Sequence, residues 1–275
     1  MIELEVDLLE GGALSRALAE HRVEAVFHLA AQTIVGAAAS VPGPTFDANV
    51  RGTWVVLEAC RERRVGRVVV ASSDKAYGAH DELPYREDFA LRPTAPYEAS
   101  KAAADLIARS YWRSCGLPVA VTRFANVYGG GDTNFSRLVP EAVSAALDGR
   151  RPVLRSDGSP ERDFLYVEDA ARAYLAIEDA LDRDEVRGQA FNAGGGRPYP
   201  VREVVRLIAR LANTDVDPIV RGVGNPDGEI DRQYVDWAKI RALVGWEPRV
   251  ALEAGLRATV EWYRAHPEAR APTPL

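Results

Sequence analysis

Two short segments of the sequence carry side chains suited to redox and elimination chemistry. Tyr97-Glu-Ala-Ser-Lys101 places a phenol and an ammonium four residues apart, and this spacing brings both to one face of a helix. We expect the Lys101 ammonium to lower the pKa of the Tyr97 phenol, because a nearby positive charge favours the phenolate. Tyr97 is therefore a candidate base for a substrate hydroxyl during hydride transfer.

The second segment, Ser72-Ser73-Asp74-Lys75, follows an apolar run. We expect the Ser73 hydroxyl to share the substrate oxygen with Tyr97. The predicted catalytic residues are Ser73, Asp74, Lys75, Tyr97 and Lys101.

The first half of the chain alternates strand-like and helical apolar patterns, which predicts a doubly wound α/β fold around a parallel, Rossmann-like sheet. The continuous run Val68–Ala71 indicates burial on both faces of that sheet. Ser72–Asp74 and Asn126 each follow a strand, so we expect them at the carboxyl edge, where ligands bind. The predicted elements are strands Ile2–Asp7, Ala25–Ala30, Arg67–Ser72 and Pro118–Phe124, and helices Ala13–His21, Thr45–Arg63 and Pro96–Cys115.

Beyond about residue 130 the pattern predicts a smaller, mixed lobe with short strands and glycine runs. We expect residues 1–130 to form a partial NAD-binding domain and residues 131–275 mainly a substrate-binding lobe, with segments that cross back to the first domain. Pro267–Leu275 is expected to fray. The predicted helices of this half are Leu138–Leu147, Val167–Leu181, Val201–Leu211 and Leu252–His266.

The bulk composition excludes several classes of protein. A net charge of −6 and a pI near 5.4 argue against a nucleic-acid surface. Cys60 and Cys115 lie in no metal or redox motif, and the four histidines have no ligand spacing, so we expect reduced thiols and no metal. The N-terminus resembles no signal peptide, and no apolar run approaches ~18 residues. We therefore expect a cytoplasmic protein.

Ordered motifs over nearly the whole chain resemble the extended short-chain dehydrogenase/reductases, the NAD-dependent epimerase/dehydratase family that acts on nucleotide sugars. That resemblance implies a nucleotide-diphosphate sugar as substrate, NAD as cofactor and a homodimer. Besides the two catalytic segments, the motifs are His28-Leu-Ala-Ala-Gln32, Asn49-Val-Arg-Gly-Thr53, Arg123-Phe-Ala-Asn-Val-Tyr-Gly129, Arg162-Asp-Phe-Leu-Tyr-Val-Glu-Asp169 and Gly245-Trp-Glu-Pro248.

The resemblance also implies roles for individual residues. Lys101 would hold the nicotinamide ribose, and Tyr97 would be the catalytic base. The implied cofactor contacts further include Asp7 and Leu8 near the adenine, with Ala30, Ala31 and Gln32 along the groove. The implied substrate contacts are Asn126 and Arg162, and by position alone Arg232. Simpler interpretations remain open, with Asp7 as a turn cap, Arg162 in a surface ion pair and the alanines as packing residues.

Asp74-Lys75 distinguishes between branches of the family. The 4-epimerases need only the hydroxyl, Tyr and Lys, whereas 4,6-dehydratases also need an acid and a base for loss of water. The Asp-Lys pair resembles the branch of CDP-glucose 4,6-dehydratase, although the second half of the chain reads as general family sequence. That resemblance implies that Asp74 protonates the departing hydroxyl group and that Lys75 takes the base position, for which its amine must be neutral; otherwise Lys75 stabilises the enolate. The alternative is that Asp74 caps a turn and Lys75 points to solvent. We therefore predict a nucleotide-sugar 4,6-dehydratase, with a 4-epimerase as the alternative.

The glycine loop GxxGxxG, which holds the cofactor pyrophosphate in this family, has no match before Asp7. The chain therefore resembles the family pattern without its first βαβ segment. A truncated N-terminus, a natural remnant and a partner that supplies the missing strands would each explain this. We expect weakened NAD binding and an unpaired sheet edge, so an inactive, cofactor-free binding module is a further alternative.

Overall fold

A parallel four-stranded sheet forms the centre of the protein. The computed structural model describes residues 1–214, 216–223 and 230–270. In this part of the chain the strands are β1 (Ala25–His28), β2 (Arg67–Ala71), β3 (Val119–Phe124), β4 (Asn126–Tyr128), β5 (Val153–Leu154), β6 (Glu161–Tyr166), β7 (Ala190–Ala193), β8 (Pro198–Pro200), β9 (Ile219–Val220) and β10 (Arg232–Gln233). The central sheet has the order β1-β2-β3-β7.

Helices cover both faces of this sheet. They are α1 (Gly11–Glu20), α2 (Val35–Ser40), α3 (Pro42–Phe46), α4 (Gly52–Arg63), α5 (Pro96–Cys115), α6 (Leu138–Leu147), α7 (Val167–Asp179), α8 (Val201–Leu211), α9 (Ala238–Val244) and α10 (Leu252–Ala265). Val68 and Val70 pack with α1, α4 and α5 on one face, whereas Val69 packs with α7 and α9 on the other. The prediction of a doubly wound α/β fold is confirmed.

A second core lies among the later elements. Strands β10, β6 and β4 form a parallel path, and β8 joins β6 antiparallel. Strands β5 and β9 form a separate parallel pair. Helices α6, α8 and α10 supply most of the apolar side chains that pack against β4 and β6. The predicted change to a mixed arrangement is confirmed, while the division at residue 130 stays a prediction.

Three predicted elements differ from the structure. The predicted strand Ile2–Asp7 is wrong, because this segment pairs with no strand among the described residues and Ile2 is exposed. The predicted helix Thr45–Arg63 begins earlier, in α3, and continues through a π-helical turn at Asp47–Arg51 before α4. Of the segment predicted to fray, Pro267–Ala269 forms a short 3₁₀ turn; residues 271–275 lie outside the described residues.

None of the helices in the described ranges combines the length and the apolar character needed to cross a bilayer.

Candidate active site

Helix α5 presents Tyr97 and Lys101 because its N-terminus is firmly defined. Pro96 occupies a first-turn position of the helix, where its missing N–H costs nothing. The Glu98 carboxylate accepts hydrogen bonds from the backbone amides of Thr94 (3.1 Å) and Ala95 (3.2 Å). These bonds satisfy donors that a helix start leaves free and place a negative charge at the positive end of the helix dipole. Tyr97 therefore has a fixed position in the first turn.

The structure brings Ser73, Asp74 and Tyr97 together. The Ser73 hydroxyl donates to Asp74 Oδ1 (3.1 Å) and accepts a hydrogen bond from the Lys75 amide (3.2 Å), and it lies near enough to Tyr97 to lower the pKa of that phenol. Ser73 begins the short 3₁₀ turn Asp74–Tyr77, which directly follows β2. The carboxyl edge of the sheet thus carries the three predicted side chains.

The prediction that Lys101 lowers the pKa of Tyr97 is wrong for this structure. Burial, followed by repulsion from Asp74, raises the pKa of Tyr97 to about 12, while the Ser73 hydrogen bond and the charge of Arg137 act in the opposite direction. The Lys101 ammonium donates to the Ala71 carbonyl (2.9 Å). Burial lowers the pKa of Lys101 to about 8. Burial therefore keeps the Tyr97 phenol protonated at neutral pH, whereas Lys101, with a pKa of about 8, still carries most of its positive charge there.

Asp74 is buried, with 2% of its surface exposed. Burial raises the pKa of its carboxyl group, against the opposing effects of Lys75, the Ser73 hydrogen bond and Arg162. Its Oδ2 has no hydrogen-bond partner in the described part of the chain. A carboxyl group in this environment favours the protonated form and can donate that proton.

Lys75 contacts a residue that the sequence analysis missed. Its Nζ donates to Oε1 of Gln233 (3.3 Å), which lies fully buried on β10. The predicted residue at this position, Arg232, instead forms an exposed ion pair with Glu161 (2.8 Å). Successive side chains of a strand point to opposite faces, so Arg232 and Gln233 diverge. The sequence pattern around a two-residue strand is too short to predict which of Arg232 and Gln233 faces Lys75.

Asn126 and Arg162 lie on two strands of the second sheet, β4 and β6. Asn126 Nδ2 donates to the carbonyl of Asp163 (3.1 Å). Arg162 donates from Nη1 to the carbonyls of Glu161 (2.9 Å) and Asp231 (3.1 Å), and its charge acts on Asp74. Arg162 therefore lies near the Asp74 carboxyl group, whereas Asn126 is bound to the backbone of β6.

The predicted cofactor segment Ala30–Gln32 follows β1 and is held in place by Asn49. Asn49 Oδ1 accepts a hydrogen bond from the Gln32 amide (2.7 Å), and its Nδ2 donates to the Gln32 carbonyl (2.9 Å) and to Ser100 Oγ (2.9 Å). Asn49 lies in the π-helical turn, a feature found often at functional sites. Because Ser100 directly precedes Lys101 on α5, Asn49 holds the segment beside that part of the helix.

Asp7 and Leu8 occupy the turn before α1. Asp7 Oδ1 accepts a hydrogen bond from the Leu9 amide (2.9 Å), which is the geometry of a turn cap. Leu8 packs against the core under α1 and α4. The contact of Asp7 lies within the local turn and that of Leu8 lies in the core, and the cofactor roles of both residues stay predictions.

A cavity of about 430 Å³ adjoins the cofactor segment. Near it, Arg137 donates to Thr33 Oγ1 (3.0 Å), and its positive charge also acts on Tyr97. Arg137 was missed because its segment has no motif of its own. The cavity is lined by Ala31, Gln32, Thr33, Ile34, Thr133, Asn134 and Phe135.

Comparisons with known proteins support one family. The model of the NAD dependent epimerase/dehydratase family matches residues 3–194. The trifunctional UDP-glucose 4,6-dehydratase/UDP-4-keto-6-deoxy-D-glucose 3,5-epimerase/UDP-4-keto-L-rhamnose-reductase of Arabidopsis thaliana is 34% identical over 95% of the chain. The chain spans only 39% of the length of that relative.

Solved structures of two different enzymes have similar backbones. The dTDP-glucose 4,6-dehydratase of Streptomyces venezuelae, a double mutant solved with NAD bound, has a TM-score of 0.87 and 32% identity over 96% of this chain and 80% of its own. The UDP-glucose 4-epimerase of Thermotoga maritima, solved with UDP-glucose, has a TM-score of 0.89 and 30% identity over 96% and 84%. The chain therefore belongs to the NAD-dependent epimerase/dehydratase family.

Proposed function

We propose that the chain is a nucleotide-sugar 4,6-dehydratase. The observation that carries this proposal is the buried Asp74 carboxyl, whose pKa is raised and which lies beside Ser73 and Tyr97. Inversion at C4 needs a base for the C4 hydroxyl but no acid for a departing hydroxyl. A protonated carboxyl next to the tyrosine is therefore a feature that dehydration uses and epimerisation does not.

Each catalytic side chain has one role in this reaction. Tyr97 takes the proton of the C4 hydroxyl, whose oxygen also contacts Ser73. Lys75 takes the base position and removes the C5 proton, and the resulting ammonium stabilises the enolate. Asp74 protonates the C6 hydroxyl, which leaves as water. Elimination thus leaves Lys75 charged beside an ionised Asp74, a pair whose opposite charges attract, and Lys75 returns its proton to C5 when the hydride is added at C6.

The residues around Tyr97 fit a dinucleotide cofactor. Ala30 and Ala31 are small and partly accessible beside the carboxyl end of β1, and the Lys101 ammonium suits a ribose hydroxyl. When bound, NAD accepts a hydride from C4 of the sugar and later returns it to C6. The residues proposed to hold it are Ala30, Ala31, Gln32, Tyr97 and Lys101, with Asp7 and Leu8 toward the adenine.

The proposed substrate is a nucleotide-diphosphate sugar. Arg162 and Arg232 supply positive charges on β6 and β10, and Asn126 supplies an amide on the adjoining strand β4. Guanidinium groups suit diphosphate oxygens because they donate in pairs. Because Arg232 forms an exposed ion pair with Glu161, we propose that it contacts the part of the substrate nearest to the solvent.

Deuterium tracing tests the proposed reaction. The chain is incubated with NAD and with UDP-, dTDP- or CDP-glucose labelled with deuterium at C4, and the products are followed by mass spectrometry and NMR. We expect a product lighter by one water, with the deuterium at C6. Asp74→Asn should still oxidise C4 but should not release water. A product of unchanged mass with every substrate would contradict the proposal.

The second candidate is a nucleotide-sugar 4-epimerase, which the backbone similarity to the Thermotoga enzyme favours. In that case the deuterium returns to C4, the product is an isomer of the substrate, and Asp74→Asn retains activity. The same tracing experiment therefore separates the two candidates.

We further propose a homodimer formed through α4 and α5. Trp54 on α4 and Leu106 on α5 are large apolar side chains on the outside of two adjacent helices, and both are exposed.

A cytoplasmic location is also a proposal, supported by the free thiols of Cys60 and Cys115. We retain the division at residue 130 as a proposal, with β7 crossing back into the central sheet.

A further inference from the structure

Asn192 is a buried side chain for which the proposed reaction has no role. It lies on β7, an edge strand of the central sheet, and no part of it is exposed. Its Oδ1 accepts a hydrogen bond from the Tyr77 hydroxyl (2.8 Å), and its Nδ2 donates to the Tyr85 carbonyl (2.9 Å). A reversed amide would place two acceptors, Asn192 Oδ1 and the Tyr85 carbonyl, against each other. These contacts therefore fix the orientation of the Asn192 amide.

The Tyr77 hydroxyl is held by two side chains from neighbouring strands. Arg123 on β3 and Asn192 on β7 are partners in the sheet register. Arg123 Nη1 donates to the Tyr77 hydroxyl (3.0 Å), and that hydroxyl donates its own proton to Asn192 (2.8 Å). The hydroxyl thus uses both its donor and an acceptor lone pair. Tyr77, which is completely buried, is thereby fixed against the sheet.

Tyr77 is the last residue of the 3₁₀ turn that begins at Asp74. The start of the turn follows β2, where the Ser72 amide donates to the Thr122 carbonyl (2.9 Å). The Asp74 carboxyl accepts from the Ser73 hydroxyl at Oδ1, but its Oδ2 has no hydrogen-bond partner in the ranges that the structure describes. The position of this carboxyl therefore depends on the backbone of the turn, and the end of that backbone is held by Tyr77.

We propose that Asn192 is a positioning residue that holds the acid Asp74 in place through the Tyr77 hydroxyl. The inference rests on the proposed function, in which Asp74 protonates the departing C6 hydroxyl. Proton transfer needs the acid within hydrogen-bond reach of that hydroxyl, and a shift of about 1 Å can lower a rate by about 10²-fold. Tyr97 is placed separately, by the capped first turn of α5. Asn192 should therefore affect water loss and not the preceding oxidation at C4.

Amide hydrogen exchange tests this role without substrate or cofactor. The reporter is the Ala76 amide, which donates to the Ser73 carbonyl inside the turn (3.1 Å). Asn192→Leu keeps the approximate size of the side chain and removes both of its side-chain hydrogen bonds. We expect the Ala76 amide of this variant to exchange about tenfold faster, since the turn loses about one hydrogen bond of stability. The Val68 amide, which donates to the Pro118 carbonyl in the sheet (2.9 Å), is the reference for global opening.

Thr259→Val is the matched control. Thr259 is also completely buried, and its Oγ1 donates to the Gly255 carbonyl (2.7 Å) on α10, outside this network. The Ala76 amide of this variant should keep its wild-type rate relative to Val68. An unchanged relative rate in Asn192→Leu would overturn the proposal. If Asn192→Leu fails to fold, Tyr77→Phe, which removes the hydroxyl and keeps the ring, decides by the same criterion.

A double-mutant cycle tests whether Asn192 acts through Tyr77. With NAD and an active nucleotide sugar, Asn192→Leu should lower the rate of water loss by about 10²-fold and leave the single-turnover rate of C4 oxidation unchanged. The double variant should lose water no more slowly than Tyr77→Phe alone, because both changes remove one shared contact. Additive losses, or equal losses of oxidation and water release, would contradict the proposal. If the wild-type chain releases no water from any substrate, the proposed function fails, whereas the exchange of Ala76 still decides whether Asn192 holds the turn.

Discussion

Tyr97 combines a fixed position with a pKa that burial raises to about 12. The base function proposed for Tyr97 therefore depends on positive charge that arrives with the bound reactants and on the cation Arg137. Lys101 cannot supply that charge alone, since its ammonium is directed to the Ala71 carbonyl. Without bound ligands, Tyr97 and Lys101 are held in position, but the Tyr97 phenol stays protonated.

Replacing Tyr97 by Phe should reduce kcat by about 10²–10⁴-fold, the usual contribution of a general base. The change removes only the hydroxyl, so the fold should be retained. Tyr111→Phe is the control, because Tyr111 lies on the same helix and donates to Glu58 on its outer side. The measurement is the steady-state rate of water loss. Equal rates for Tyr97→Phe and the control would argue against a catalytic Tyr97.

His28 gives a prediction for stability. Burial, with the charge of Lys101 as a second cause, lowers the pKa of His28 to about 4, whereas an unfolded chain titrates near 6.5. Between these values the unfolded state binds a proton that the folded state does not bind, so stability falls as the pH decreases from about 6.5 to about 4. The loss is about 3 kcal/mol by linkage.

Urea unfolding at pH 7.5 and pH 4 measures this difference. His28→Gln can keep the hydrogen bond to Thr53 Oγ1 and should remove most of the loss, while the exposed His21→Gln should retain it. A pH dependence that is identical in all three proteins would disprove the assignment to His28.

At the scale of elements, a buried ion pair connects the catalytic turn to α5. Arg123 on β3 and Asp105 on α5 are both fully buried and form two hydrogen bonds, of 2.7 and 3.0 Å. Arg123 also donates to the Tyr77 hydroxyl (3.0 Å) at the end of the turn that carries Asp74. On α5, four-residue spacing places Asp105 on the same face as Tyr97 and Lys101. The Arg123–Asp105 ion pair therefore fixes the position of that face along the helix axis relative to the turn.

Arg123→Leu should therefore destabilise the protein by about 3–5 kcal/mol, because Asp105 remains as an uncompensated buried charge. Arg257→Leu, which breaks an exposed pair with Glu253, should have little effect. Adding Asp105→Leu to Arg123→Leu should recover part of the loss. Chemical denaturation measures all three, and equal losses for both single variants would contradict this account.

Helix α5 and the glutamine on β10 show what sequence can and cannot predict. The bounds of α5 were predicted correctly because Pro96, Glu98 and the left-handed Gly116 (φ 67°) define its ends locally. Gln233 was missed because its importance comes from contact with Lys75, 158 positions away. The predicted direction of the Tyr97 pKa shift was wrong for a related reason. Burial and the charge of Asp74 raise this pKa, and the neighbouring Lys101 in the same helix does not offset them.

At the scale of the whole molecule, the outer surface of α4 and α5 predicts the assembly. Leu106 on α5 is 57% exposed, and Leu175 on α7 is 55% exposed on the other side of the sheet. Leu106→Glu should convert the proposed dimer to a monomer, because a charge at an apolar interface is costly. Leu175→Glu should leave it dimeric. Light scattering gives the mass of each, and a monomeric wild-type chain would contradict the dimer.

The hydrogen bond between Lys75 and Gln233 also has a consequence for protein synthesis. Because it joins residues 158 positions apart, the acid site cannot be completed until residue 233 has left the ribosome, even though β1, β2, β3 and α5 emerge much earlier. A nascent chain that stalls before this point would carry the tyrosine and lysine of α5 but not the completed elimination site. On the proposed function, the capacity to remove water would therefore arise late in translation, after residue 233 has been added.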